Sequence, residues 1–145
     1  MRPVRGQRLS FGAMKRRKLE FSSHTANLAM MREQVRMFLD DYKFSEKQRL
    51  LMVLGVDEAC TNIIRYAYAL RDDQPITLSM EGLRDCVRMR LRDYGEQMRT
   101  AMKKVASDRL KPGGRGLQLI QHAFDKVDYV VKPRGTELVL TKNLE

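Results

Sequence analysis

Within the stretch Val56–Tyr68, VDEACTNIIRYAY, Glu58 and Asn62 stand four residues apart among mostly apolar neighbours. On a helix that spacing puts both on one face, with Cβ atoms about 5–6 Å apart. A carboxylate in apolar surroundings is costly unless something pairs with it. The two side chains suit different chemical work. The Asn62 amide oxygen can help hold a hard cation such as Mg²⁺, which takes oxygen ligands. The Glu58 carboxylate can accept a proton from an attacking hydroxyl or water. The alternative is a solvent-facing polar stripe in which Asp57 and Arg65 make surface pairs.

Two further motifs carry chemistry. In RDYGEQ, Asp93 ends an alternating strand and Gly95 follows in a turn. A strand-end aspartate can accept a hydrogen bond from an exocyclic amine, and a glycine lets a flat ring approach the backbone. Read alone, Asp-x-Gly is an ordinary turn. In KPGGRGLQLI, Gly113, Gly114 and Gly116 crowd before a helical run, with Arg115 among them. Glycine-rich backbone entering a helix presents N–H groups and a positive dipole end to phosphate. The string is not a P-loop, since G-x-x-x-x-G-K-[ST] is absent. The H-R-D and D-F-G strings of the usual protein-kinase fold are missing as well.

The elements that must position these motifs follow from periodicity. Lys18–Ser23 alternates weakly and predicts a first strand. A helix follows from His24 to about Tyr42, with Leu28, Met31, Val35, Phe38 and Leu39 on one face. Ser45 and Gln48 have capping-box form and open a second helix, expected from about Glu46 to Leu70 and buried along its middle. Ile76–Gly82 and Cys86–Arg92 read as strands joined by GLRD. Tyr94–Pro112 reads as a charged, irregular stretch, a candidate mobile loop. Gly116–Phe124 reads as a short helix; Val127–Val131 and Glu137–Thr141 close the chain as strands joined by KPRG. This order predicts an α+β two-layer sandwich, with helices on one face of a mostly antiparallel sheet.

Composition bounds the rest. The chain has 145 residues, 43% of them hydrophobic, which suits one compact domain. No apolar run has the length of a membrane span, and no secretory h-region is visible, so a cytoplasmic location is expected. Cys60 and Cys86 read as reduced core thiols, not metal ligands. Net charge is +10, but Arg2, Arg5, Arg8, Lys15, Arg16, Arg17 and Lys18 supply seven of those charges within a stretch that has no acid. The excess belongs to a basic arm over residues 1–17, expected to be flexible, ahead of a domain over residues 18–145. The arm lacks the aromatic and basic interleaving of a stacking platform, which argues against direct nucleic-acid binding.

Taken in order, the motifs resemble those of the GHKL superfamily, the Bergerat ATP-binding fold, and within it the small bacterial anti-sigma-factor serine kinases. VDEACTNIIRYAY resembles that family's N-box, RDYGEQ its adenine-side box, GGRGLQLIQHAFDKVDY its second glycine box and GTELVLTKNL its closing strands. The likeness runs from about Leu19 to Leu144. It implies ATP and Mg²⁺ as ligands, with Glu58 as general base and Asn62 on the metal. Asp93 would take the adenine amino group, Gly95 would admit the ring, and Thr136 would be a second adenine-side contact. Gly114, Arg115, Gly116 and Leu117, at the start of the last helix, would cradle phosphates, and residues 96–112 would form a lid over the nucleotide. Two positions depart from the family: Gln97 replaces a second glycine after Asp93, and Tyr66 stands where the N-box often has histidine.

The activity so implied is that of an ATP-dependent protein serine kinase. It would bind a sigma factor and would phosphorylate a serine of an anti-sigma-factor antagonist; the resemblance also admits a homodimer. The alternative within the superfamily is an ATP-binding regulator of weak or absent catalysis.

Overall fold

The computed structural model describes residues 14–96 and 116–144. Strands β1 (Arg16–Ser22), β2 (Pro75–Gly82), β3 (Cys86–Asp93), β4 (Lys126–Val131) and β5 (Thr136–Asn143) form one sheet in the order β1-β2-β3-β5-β4. Every neighbouring pair in it is antiparallel. Helices α1 (Leu28–Leu39), α2 (Glu46–Asn62) and α3 (Gly116–Ala123) supply the second layer. The α+β sandwich expected from the periodicity is therefore the architecture found.

Register explains the layering. Leu78, Leu91 and Leu138 align across β2, β3 and β5, and so do Met80, Met89 and Leu140. All are buried, and they meet Met31, Val35, Phe38, Val56, Ala59, Ile63 and Ile120 of the helical layer in one core. The period-2 alternation leaves Arg88, Arg90 and Arg92 on the opposite face. There Arg90 lies 3.6 Å from Glu81 and 3.8 Å from Glu137, on the strands either side.

The helix starts match their sequence signals. His24 caps a short 3₁₀ turn, Thr25–Asn27, which leads into α1 and takes up the first residues of the helix expected from His24. Ser45 and Gln48 form both bonds of a capping box at α2, at 3.1 and 2.9 Å. Leu50 and Leu54 are exposed and line a groove of about 610 Å³ between α1 and α2, with Ala29, Arg32 and Val53. Burial of α2 is thus partial: Leu50 and Leu54 stay exposed while Met52, Val53, Val56, Ala59 and Cys60 are buried.

Two boundaries differ from expectation. Strand β1 starts at Arg16, so the last residues assigned to the basic arm are structured: Arg16 pairs with Glu81 in register and Arg17 donates to Gln34 at 2.5 Å. Lys15 bonds Asp41 and lies 4.7 Å from the Phe38 ring centroid. Helix α2 stops at Asn62 and widens into a π-helical turn over Ile63–Ala67, where the Tyr68 N–H reaches back five residues to the Ile63 carbonyl at 2.9 Å. Ala69 and Leu70 then take left-handed φ values of 50° and 67°, which ends the helix outright.

Candidate functional site

The far end of α2 faces three other chain segments. Glu58 is half-buried, and its carboxylate lies directly against the backbone of Gly116 at the start of α3, so that a Cβ there would collide with it. Burial pushes the Glu58 carboxyl upward; Arg65 opposes the shift and Asp57 adds to it. One helical turn on, Asn62 is 3% exposed. Its amide has no hydrogen-bond partner among the described residues. An orphaned buried amide is costly, and its oxygen suits a hard cation. No cluster of three or more His, Cys, Asp or Glu ligands occurs among the described residues. A cation here would therefore take most of its ligands from a bound anion and water, which is the usual habit of Mg²⁺. The residues present fit that ion.

Part of the surface-stripe alternative holds, since Asp57 makes a part-exposed ion pair, but Asn62 is buried and does not face solvent. Asp57 pairs with Arg32 of α1 at 3.1 Å, while Arg65 stacks over Tyr66 at 5.5 Å.

Asp93 ends β3 at 1% exposure, opposite the buried Thr136 that opens β5. Its Oδ1 accepts from the Gly95 N–H at 3.0 Å. Burial raises its carboxyl to about 6, against the opposing pull of the Gly95 N–H, the Arg92 guanidinium and the Thr136 backbone. A carboxylate oxygen has lone pairs beyond those taken by these backbone donors, and they suit an incoming amine. Behind it, Gly135 turns the β4–β5 connection at φ 78°, and a Cβ there would strike the Asp93 carbonyl.

Gly95 is a glycine for a reason that its sequence context did not give. A Cβ would collide with the Ala67 carbonyl and come within 2.7 Å of the Tyr68 ring. The close approach at Gly95 is thus made by the π turn of the chain itself. The Glu96 N–H donates to the Ala67 carbonyl at 2.9 Å, and the Tyr94 N–H donates to the Tyr68 hydroxyl at 2.8 Å.

Glu58, Asn62 and Gly116 therefore stand at the end of α2 and the start of α3, and Asp93, Gly95 and Thr136 at the end of β3 and the start of β5, the two groups being joined through the π turn after Asn62. Leu117 is buried in the core, so only its backbone is available to a ligand. Gly114, Arg115, Gln97 and all but the first residue of the expected lid lie outside the described residues. Sequence reasoning missed Tyr68, which reads as one more apolar helix position, and Gly135, which reads as a hairpin connector.

A family model described as a histidine kinase-like ATPase domain matches residues 21–142. The chain belongs to the histidine kinase-like ATPase family. Among curated relatives, the serine/threonine-protein kinase BtrW of Bordetella bronchiseptica is 26% identical over 106 residues, 70% of this chain and 75% of that protein. Among solved structures, the RsbU and RsbW domains of a Mycobacterium tuberculosis protein align with a TM-score of 0.65 at 16% identity, over 90% of this chain. The chain spans 32% of that structure, and at such identity the likeness concerns the fold. No helix among the described residues is long and apolar enough to cross a membrane.

Proposed function

We propose that the protein is an ATP-dependent serine kinase and anti-sigma factor. In this reading it binds a sigma factor, and it transfers the γ-phosphoryl group of ATP to a serine of an anti-sigma-factor antagonist. The observation that carries the reading is the joint placement of two unlike ends: Glu58 beside Gly116 with the buried Asn62 one helical turn on, and the amine-seeking Asp93 beside Thr136.

The chemistry follows from those groups. Asp93 accepts a hydrogen bond from the adenine amino group, with Thr136 as its neighbour. The backbone of Gly114, Arg115, Gly116 and Leu117 and the dipole of α3 hold phosphate oxygens. Asn62 holds Mg²⁺, which when bound neutralises charge on the phosphates. Glu58 takes the proton of the serine hydroxyl as its oxygen bonds to the γ-phosphorus and the bond to the β-phosphate oxygen breaks. Its upward-shifted carboxyl is a stronger base than an exposed glutamate, which suits that role. The kinase name borne by BtrW supports the transfer step, and the RsbW name of the structural neighbour supports the regulatory one. A cytoplasmic location and a homodimer are part of the same proposal.

The test is calorimetric ATP binding with Mg²⁺, together with label transfer from ATP to a candidate antagonist domain. Wild-type protein binds and transfers, Glu58→Gln binds without transferring, and Asp93→Asn binds poorly. Binding by wild type with no transfer to any antagonist would reduce the protein to the ATP-binding regulator of the alternative reading. No binding at all refutes the proposal.

A further inference from the structure

We infer that Tyr68 is a positioning residue for nucleotide recognition, holding the Asp93–Gly95 turn in the geometry that reads the purine. The inference rests on the functional reading above, in that Asp93 is the group that meets the base.

The Tyr68 side chain is 1% exposed, at the end of the π turn. Its hydroxyl accepts from the Tyr94 N–H at 2.8 Å and donates to the Pro75 carbonyl at 2.5 Å. The phenol thus bridges the residue after Asp93 and the first residue of β2. Burial keeps it protonated, as the donation to Pro75 requires. Its ring fills the space that a side chain on Gly95 would need, and the adjoining Ala67 carbonyl receives the Glu96 N–H. Tyr94, Gly95 and Glu96 are therefore each tied to the residues that follow Asn62 on the same helix. The Asp93 carboxylate is in turn oriented by the Gly95 N–H at 3.0 Å. The chain of contacts runs from the Tyr68 hydroxyl through the turn to the Asp93 carboxylate. It makes the adenine-facing group and the Asn62 end parts of one clasp.

The test compares ATP with inosine triphosphate, which presents a carbonyl where adenine has its amino group. Wild-type protein binds ATP more tightly than the inosine nucleotide. In Tyr68→Phe the ATP affinity falls about threefold to tenfold, the range that one neutral hydrogen bond commands. Affinity for inosine triphosphate changes much less, so the preference narrows. A folded Tyr68→Phe protein that keeps the wild-type preference, or loses both nucleotides equally, overturns the inference and leaves the site reading standing. Wild-type protein with no preference for ATP overturns the site reading, and the role of Tyr68 with it. Amide exchange on unaltered protein gives a check independent of the variant's folding. The Tyr94 N–H is protected at least about tenfold without nucleotide; exchange at the unfolded-chain rate in the folded protein overturns the inference.

Discussion

At the residue scale, Asp93 trades stability against binding. Its carboxyl titrates at about 6 in the fold, raised from 3.8 by burial. The folded state therefore holds the proton more tightly. Its contribution to stability is full below the unfolded value and is lost as pH rises through about 6. Asp93→Asn removes the buried charge while keeping an acceptor for the Gly95 N–H. It is expected to raise the stability of the nucleotide-free protein at pH 7.5 by about 1–3 kcal/mol, measured by urea denaturation. ATP affinity of the wild type, followed by calorimetry, is expected to fall as pH drops through 6, because the acceptor becomes protonated. The glycines separate two kinds of cost. At Gly95 a methyl group meets fixed backbone at Ala67, so Gly95→Ala is expected to destabilise by about 1–3 kcal/mol. At Gly116 it meets the movable end of Glu58. Gly116→Ala is therefore expected to lower phosphoryl transfer at least tenfold with a smaller change in the denaturation midpoint.

At the scale of elements, the Ser45–Gln48 capping box lies at the opposite end of α2 from Glu58 and Asn62. Ser45→Ala is expected to cost about 1 kcal/mol in thermal or denaturant unfolding and to leave the ATP dissociation constant unchanged. That cap was legible because its signal is local: a hydroxyl, a glutamine at the right offset and an apolar run beyond. The strands were legible for the same reason, since Leu78, Met80, Met89 and Leu91 alternate with polar residues whatever their neighbours do. The end of α2 was not. Ile63, Ile64 and Ala67 keep helical spacing, and the bonds that accompany the widened turn, from the Glu96 N–H to the Ala67 carbonyl and from the Tyr94 N–H to the Tyr68 hydroxyl, come from a segment distant in the chain. Among candidate site residues, Glu58, Asn62, Asp93 and Gly116 were singled out by type and spacing. Tyr68 and Gly135 were not, because what marks them is a partner distant in the chain.

At the scale of the whole molecule, the basic excess divides between arm and sheet. A protein lacking residues 1–13 keeps Lys15 on Asp41 and Arg16 and Arg17 in register with Glu81 and Met80. It is expected to unfold at the wild-type midpoint and to bind ATP with unchanged affinity. Removing residues 1–19 takes half of β1, the edge strand, and its contacts to α1. The melting midpoint is then expected to fall by several degrees, roughly the shift that 1 kcal/mol makes in a domain of this size. Differential scanning calorimetry of the pair distinguishes the two cuts.

The widened turn at Ile63–Ala67 also sets the phase of what comes after it. Rewinding its five residues to ordinary pitch, with none removed, would carry later side chains roughly a quarter-turn further around the axis. Tyr68 would then point away from the strand that it grips. Pitch in this short segment is for that reason as constrained as chemistry: substitutions that keep the widened turn are tolerable, whereas a change that tightens it unlatches Tyr68 from the residue after Asp93.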